Sequence, residues 1–291
     1  MKRRNTMPFN WRNELENVNV FSIDDDFILL DKPVITSTLR HPFKVDVNTS
    51  IITIKGTTEG FIGLKPYTTN GACFITIIAG QIMEYKCISD DFEGLFIIMS
   101  KNFTDRLLPN VHERLPLSLS IRDNPVVSLD EEGLAGMINI FEMLKKLIQQ
   151  EEHPYRLEAA RYLMLAFLYG AGYYFHKFGN KKEKTHNETL IEKFKHLVQI
   201  HYKKERGLDF YADKLLISSK HLSRVLRESG NKSGNDLIDE FVALEAKALL
   251  KSTNMTILQV SEELNFPSQS FFGKYFKRVT GMSPKEYKKM D

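Results

Sequence analysis

The stretch that decides the fold lies near the C-terminal end and reads ILQVSEELNFPSQSFFGKYFKRVTGMSPKEY, from Ile257 to Tyr287. Apolar residues three and four positions apart indicate two short helices, separated by a break at Asn265–Ser268. Ser268, which ends this break, is a residue type that commonly caps the first turn of a helix. A short helix, a tight turn and a second helix with one apolar face form the helix-turn-helix pattern.

The same pattern occurs about 50 residues earlier, between Ala212 and Leu226, with a break at Ile217–Ser218. Between the two units, Asn235–Lys251 predicts one connecting helix of 17 residues, which spans about 26 Å at 1.5 Å per residue. With its flanking turns, such a spacer suits two helices that enter successive major-groove segments, roughly 34 Å apart. We therefore predict that one subunit contacts two consecutive groove segments.

Each second helix leaves polar residues on the face that packing does not need. On the first unit these are Lys220, Ser223, Arg224 and Arg227, and on the second they are Gln269, Ser270, Gly273, Lys274 and Lys277. Arg and Lys match guanine edges, Gln matches adenine, and Ser contacts bases or phosphates. A glycine permits close approach of the backbone to DNA. The alternative interpretation is a merely solvated face of a helical bundle.

The charge is divided unevenly along the chain. Residues 1–180 contain 19 Lys and Arg against 22 Asp and Glu, a net charge of −3, whereas residues 181–291 contain 21 against 15, a net charge of +6. A basic C-terminal third indicates a polyanionic partner at that end.

The C-terminal third, about Leu190 to Lys289, resembles the AraC/XylS transcription regulators, with Phe266, the Phe272–Lys277 run, Gly281 and Pro284–Tyr287 as its most specific parts. The resemblance implies base contacts from Lys220, Ser223, Arg224, Gln269, Ser270, Gly273 and Lys274. DNA-backbone contacts are assigned to Ser218, Arg227, Ser268 and Lys277. The partners it implies are double-stranded DNA, a small-molecule effector, a second copy of the chain and RNA polymerase.

The chain departs from the family at both turns, where Leu216 and Asn265 stand in place of the usual glycine. Asn tolerates a left-handed backbone and Leu does not. We therefore expect the first turn to be shaped differently from the second.

The N-terminal part predicts a β-sandwich or barrel. Short β-rich runs recur every 8–12 residues; they are Ile28–Leu30, Val34–Leu39, Ser50–Ile54, Phe61–Leu64, Phe74–Ala79, Ile82–Cys87 and Leu95–Met99. Helices follow from about residue 130, and the resemblance implies a cupin-like effector-binding or dimerisation domain. We assign residues 1–176 to this domain, 177–188 to a linker and 189–291 to an all-α double helix-turn-helix domain.

Two helical segments of the N-terminal domain have particular patterns. The first has apolar residues at alternating steps of three and four, and these are Leu134, Met137, Phe141, Leu144 and Ile148. This pattern fits a coiled-coil seam with a second copy and equally fits packing against the sheet.

The second segment, Tyr162–Phe175, has 14 residues without charge. It is shorter than the roughly 20 residues that cross a bilayer, so a buried helix is expected.

The sequence contains no pattern that indicates catalysis or a bound cofactor. The histidines before the predicted linker are isolated, which disfavours a metal site, and no nucleophile motif or phosphate-binding loop is present. We expect a cytoplasmic protein that is not an enzyme and binds no metal or cofactor, since the N-terminus also lacks a secretory signal. Two alternatives remain: a metal-free cupin enzyme with a regulatory tail, and a basic helical module that binds an acidic protein.

Overall fold

The computed structural model describes residues 20–23, 27–32, 41–107, 121, 124–178, 185–230 and 232–290. Of these, residues 20–23, 27–32 and 44–178 belong to an N-terminal compact unit, and residues 41–43 and 185–290 belong to a C-terminal one. The N-terminal strands are β1 (Phe21–Ile23), β2 (Phe27–Leu30), β3 (Phe43–Lys44), β4 (Asn48–Lys55), β5 (Thr57–Ile62), β6 (Lys65–Asn70), β7 (Cys73–Ile77), β8 (Ile82–Ile88), β9 (Glu93–Met99) and β10 (Val126–Ser128). The helices of this unit are α1 (Lys101–Leu107), α2 (Glu131–Gln149) and α3 (Arg156–Phe178).

The strands form two sheets, one in the order β1-β2-β9-β4-β7-β10 and one in the order β3-β8-β5-β6. Within the first sheet β4 pairs antiparallel with both β7 and β9, and within the second β5 pairs antiparallel with both β6 and β8. The predicted β-sandwich or barrel is therefore confirmed. The predicted strand Val34–Leu39 lies outside the described residues.

Helices α2 and α3 cover one face of the six-stranded sheet. Alternate residues of the central strands, such as Ile52, Phe74 and Ile97, are buried in one apolar cluster with residues of both helices. Alternation places every second side chain of a strand on the same face, so a single face of this sheet supplies the cluster. The rings of Phe74 and Phe167 meet edge to face, with centroids 5.5 Å apart.

This packing corrects the predicted dimerisation seam. The five residues of that face lie in the apolar cluster of their own subunit, four of them buried and one partly buried: Met137, Phe141, Leu144, Ile148 and Leu134. A helix face that fills its own core cannot also form a coiled-coil seam. The alternative interpretation, packing against the sheet, describes the structure.

Helix α3, which contains the uncharged segment Tyr162–Phe175, is buried on one face only, whereas a buried helix was expected from the sequence. Its inner face is buried, with Met164, Phe167 and Phe175 at 2% exposure or less. Its outer face exposes large side chains, among them Tyr162 at 73%. The uncharged segment is therefore part of an amphipathic helix, with one face buried and the other exposed. Among the described residues, no helix has the length and apolar character to cross a membrane.

Between residues 185 and 290 the described part of the C-terminal unit contains helices and no strand. Its helices are α4 (His186–His201), α5 (Leu208–Lys214), α6 (Ser219–Glu228), α7 (Gly234–Ser252), α8 (Ile257–Glu263), α9 (Gln269–Thr280) and α10 (Pro284–Lys289). Residues 179–184 of the predicted linker lie outside the described residues, while Thr185 caps α4 by accepting from the backbone N–H of Glu188. The domain boundaries at 176 and 189 stay a prediction.

Candidate nucleic-acid interface

Two helix-turn-helix units occur in the C-terminal unit, α5–α6 and α8–α9. Helix α7 lies between them in the chain and packs against helices of both units. It has 19 residues, which corresponds to about 28 Å of length. The predicted connecting helix, Asn235–Lys251, is confirmed with one further residue at each end.

The two turns have the same backbone geometry. Leu216 has φ 58° and Asn265 has φ 56°, so both occupy the left-handed region. In the first turn the N–H of Ile217 donates to the carbonyl of Ala212 at 3.1 Å, and in the second the N–H of Phe266 donates to Ser261 at 2.9 Å. Each of these bonds joins an N–H to the carbonyl five residues earlier. This is the hydrogen bond of the Schellman motif, in which a residue in the left-handed region ends a helix.

The expectation that Leu216 gives the first turn a different shape is therefore wrong. The hydrogen bonds of the turn hold Leu216 in a conformation that costs an L-residue with a branched side chain about 1–2 kcal/mol. Its side chain is 92% exposed, so burial does not offset that cost. The helix-turn-helix geometry is thus maintained against the local preference of the residue.

We predict that Leu216→Asn stabilises the C-terminal unit by about 0.5–1 kcal/mol. Asn tolerates the left-handed region and stands at the equivalent position of the second turn, while the exposed leucine side chain loses no packing. Urea unfolding of the full chain measures the change. Leu215→Asn is the control, because Leu215 has φ −91° and therefore carries no left-handed backbone strain that asparagine could relieve. If Leu216→Asn were no more stable than the unaltered chain, the backbone strain at Leu216 would be contradicted.

Both second helices begin with the predicted serine caps. Ser218 Oγ accepts from the N–H of His221 at 3.1 Å, and Ser268 Oγ accepts from the N–H of Phe271 at 3.2 Å. A hydroxyl that accepts such a bond still has its own hydrogen to donate. Both serines are exposed, so each O–H is accessible to a phosphate at the positive end of a helix dipole.

The predicted DNA-contacting residues lie on the outward faces of α6 and α9. All are exposed except Gly273, which is half-buried: Lys220, Ser223, Arg224 and Arg227 on α6, and Gln269, Ser270, Gly273, Lys274 and Lys277 on α9. The opposite faces supply the core, where Leu222, Phe272 and Phe276 are fully buried. The geometry therefore separates a packing face from a polar face on each helix.

Arg224 is held by its own helix. Its Nη2 lies 3.0 Å from His221 Nδ1, and its Nε lies 3.9 Å from Glu228 Oε1. Both members of the ion pair are more than half exposed, and such surface pairs contribute about 0–1 kcal/mol. The guanidinium can therefore exchange this pair for a base edge at small cost.

The space around Gly273 shows that no contact with the described residues requires a glycine there. A Cβ built on Gly273 meets no atom within 4 Å, although a glycine inside a helix costs about 1 kcal/mol relative to alanine. Its backbone is not in the left-handed region either. Packing among the described residues therefore does not explain the glycine.

A second group of polar contacts fixes α9 on the connecting helix. Tyr275 Oη donates to Asp239 Oδ1 at 2.5 Å, and Arg278 Nη2 donates to Asp239 Oδ2 at 2.8 Å. Burial and the Asp239 carboxylate raise the pKa of the Tyr275 hydroxyl. The role of Asp239 has no local signal in the sequence, because its partners lie 36 and 39 residues away.

Arg206, in the segment before α5, makes a comparable contact with the second turn. Its guanidinium lies 3.7 Å from the centroid of the Phe266 ring and donates to the carbonyl of Leu264. A cation over an aromatic face is favourable, and the hydrogen bond satisfies a carbonyl at the end of α8. Arg206 thereby connects the start of the first unit to the turn of the second.

A charged cluster adds a further link. Lys203 forms ion pairs with Glu245 of α7, whose side chain is 1% exposed, and with Glu263 at the end of α8. Asp239 and this cluster hold the connecting helix to the second helix-turn-helix unit, while Arg206 ties the segment before α5 to the turn of that unit.

Comparison with known proteins gives the following findings. Residues 211–290 match the family of helix-turn-helix domains. The transcriptional activator RhaR of Escherichia coli K12 is 25% identical over 107 residues, 37% of this chain and 38% of that protein. The chain thus spans about 38% of the length of the curated relatives it matches.

Two solved structures are similar to this chain. Fatty-acid-bound ToxT from Vibrio cholerae is 14% identical with a TM-score of 0.44, over 92% of this chain and 96% of that one. The C-terminal domain of AraT, a response regulator from Geobacillus stearothermophilus, is 25% identical with a TM-score of 0.34, over 36% of this chain and 87% of that one.

The two helix-turn-helix units and the family match define residues 211–290 as a helix-turn-helix DNA-binding domain. The resemblance stated from the sequence is confirmed for this region. In this region the chain is similar to the transcriptional activator RhaR and resembles the double helix-turn-helix domain of the AraC/XylS regulators.

Proposed function

We propose that this chain is a sequence-specific DNA-binding transcription regulator, controlled through its N-terminal domain by a small-molecule effector or by dimerisation. The observation that carries the proposal is the repetition of one arrangement. Two helices follow turns of equal geometry, each begins at a serine cap, and each turns its basic and polar residues outward. The matched relative RhaR is a transcriptional activator, which supports the proposal.

The proposal assigns direct base contacts to Lys220, Ser223, Arg224, Gln269, Ser270, Gly273 and Lys274. Ser218, Arg227, Ser268 and Lys277 contact the DNA backbone. RNA polymerase is the proposed protein partner, the active form is a homodimer, and the site of action is the cytoplasm. The N-terminal domain binds its effector without catalysing a reaction.

Binding to duplex DNA is expected to weaken steeply as salt concentration rises, because each phosphate neutralised by a protein cation releases a counterion. Lys277→Gln removes one proposed phosphate contact, so the slope of log K against log salt should become shallower by about 1. Fluorescence anisotropy with a labelled duplex measures both quantities. Lys289→Gln, an equal charge change on the exposed side of α10, is the control.

A flat salt response of the unaltered chain would exclude duplex binding. Equal slopes for Lys277→Gln and the unaltered chain would exclude the phosphate contact at that residue. If the basic helices bind an acidic protein and not DNA, unlabelled duplex DNA would fail to displace that protein from the chain.

Gly273→Ala should change stability and DNA binding in opposite directions. Alanine is a better helix former by about 1 kcal/mol and the site has open space, so the C-terminal unit becomes more stable. The added methyl group occupies the space into which DNA approaches, so affinity for selected target DNA falls. Urea unfolding and anisotropy measure the two effects; a stabilised variant with unchanged affinity would contradict close approach at Gly273.

A further inference from the structure

The side chain of Arg224 on α6 is bonded to a histidine about one turn before it. Arg224 Nη2 lies 3.0 Å from His221 Nδ1, and residues three positions apart lie on the same face of a helix. A guanidinium carries five N–H donors and no acceptor, so Arg224 is the donor and Nδ1 is the acceptor. The Nδ1 atom therefore carries no hydrogen, and the ring hydrogen of His221 is on Nε2.

His221 is itself fixed by the start of α6. Its backbone N–H donates to Ser218 Oγ at 3.1 Å, and the next residue, Leu222, is fully buried in the core. The cap and the buried leucine set the rotation of the first turn, so the imidazole takes its position from the domain. His221 is half-buried, whereas the side chain of Arg224 is 57% exposed. The more restrained ring thus holds the longer and more exposed side chain.

The contacts of Arg224 within its helix use one edge of the guanidinium. Nη2 donates to His221, and Nε lies 3.9 Å from Glu228 Oε1. The end of the group, formed by Nη1 and the second hydrogen of Nη2, presents two parallel donors. This pair matches the O6 and N7 acceptors of guanine in the major groove. Arg224 can therefore keep its bond to His221 while it contacts a guanine.

We propose that His221 is a positioning residue for base recognition, which orients Arg224 so that the end of its guanidinium forms a bidentate contact with one guanine of the target DNA. The proposal rests on the proposed function and adds the base that Arg224 reads and the residue that orients it. Ordering a long exposed side chain on binding costs conformational entropy, and an arrangement made before binding lowers that cost. His221 makes no base contact of its own.

The second helix-turn-helix unit has different residues at the two corresponding positions. Phe271 stands where the first unit has His221, and Lys274 stands where it has Arg224. A phenyl ring has no nitrogen lone pair with which to accept, and an ammonium group is a point charge without a planar fork. We therefore expect the loss of His221 to affect only the DNA element that the first unit contacts.

Replacing His221 by leucine or by asparagine separates the hydrogen bond from the shape of the side chain. Both replacements branch at Cγ and are nearly equal in size, but only asparagine has an acceptor, Oδ1, on the same carbon as Nδ1 of histidine. The measurement is the ratio of the dissociation constants for scrambled DNA and for DNA selected by the unaltered chain. His221→Leu should reduce this ratio about 2- to 10-fold, the effect of one side chain left unordered, whereas His221→Asn should retain most of it.

A double-mutant cycle tests whether His221 acts through Arg224. In an Arg224→Ala background, His221→Leu should cause no further loss of discrimination. Equal loss in both backgrounds would mean that His221 contacts the DNA directly, which would overturn the proposal. Equal effects of leucine and asparagine would also overturn it, because the hydrogen bond would then have no role. Urea unfolding checks that neither replacement changes the stability of the C-terminal unit.

The guanine is tested by changing the DNA instead of the protein. In the element whose sequence preference Arg224→Ala relaxes, each guanine is replaced in turn by 7-deazaguanine, which lacks the N7 acceptor. One replacement should weaken binding of the unaltered chain and have a smaller effect on the His221→Leu variant. Phe271→Leu is the matched control from the second unit, and it should respond to this replacement like the unaltered chain.

The results distinguish this proposal from the proposed function. If Arg224→Ala relaxed no element, the base contact of Arg224 in the proposed function would be wrong. If Arg224→Ala did relax an element but His221→Leu left discrimination unchanged, or no guanine replacement weakened binding, only the role of His221 and the choice of guanine would be overturned.

Discussion

Replacing Arg224 and Lys274 together by alanine is expected to weaken specific DNA binding by about 2–6 kcal/mol. Each side chain is exposed on the outward face of its recognition helix, and a bidentate contact to a base contributes about 1–3 kcal/mol. The two residues belong to different helix-turn-helix units, so their effects should add. The loss corresponds to roughly 30-fold to 20,000-fold in the dissociation constant.

Gel-shift titration with selected target DNA and with scrambled DNA measures this loss. The control is Lys285→Ala with Lys289→Ala, which removes the same charge from exposed positions of α10. The control should weaken binding to both DNAs alike, whereas the test variant should lose discrimination between them. If Arg224→Ala alone left discrimination unchanged while Lys274→Ala reduced it, only the second unit would read bases.

Phe272→Ala is expected to destabilise the C-terminal unit by about 3–5 kcal/mol, the range for truncation of a buried phenylalanine. The ring is fully buried and packs against Phe266 and Phe276, with centroids 5.1 and 5.7 Å apart. A loss of this size is a large part of the 5–15 kcal/mol that stabilises an ordinary domain. DNA binding should fall with the folded fraction.

The adjacent residue provides the control for this truncation. Phe271 lies on the same helix but is 55% exposed, so Phe271→Ala should cost less than about 1 kcal/mol. Hydrogen exchange of the full chain separates the two units, because the loss should appear in peptides from residues 257–287 and not in the strands. Equal destabilisation by the two variants would mean that the apolar face of α9 has been assigned incorrectly.

Much of the C-terminal unit could be predicted because its signals are local. Capping serines, the apolar steps of three and four and the polar breaks lie within a few residues of each other, so one segment determines each helix and turn. Phe272 and Phe276 could be assigned to the core, and Lys274 to the outward face, from spacing alone. Six of the seven predicted strand runs overlap observed strands, and the seventh, Val34–Leu39, lies outside the described residues. The observed strands β3 and β6 have no predicted counterpart, because their short or polar sequences carry no apolar run.

The corrected expectations have physical causes that spacing does not contain. A seam between two subunits and a stripe against a sheet have the same period, so the pattern containing Phe141 could not decide between them. At Leu216 the hydrogen bonds of the turn outweigh the preference of the residue. Asp239 and Arg206 act through partners about 36 to 60 residues away, and such pairings arise only from the folded chain.

The most direct test of the central claim, that two helix-turn-helix units of one chain read one duplex, is selection of bound fragments from a library of random duplex DNA. We predict a recovered site with two conserved elements about one helical turn apart, near 10 base pairs. In the same selection, Arg224→Ala should relax one element and Lys274→Ala the other. A single short element, affected by only one of the two variants, would contradict the account.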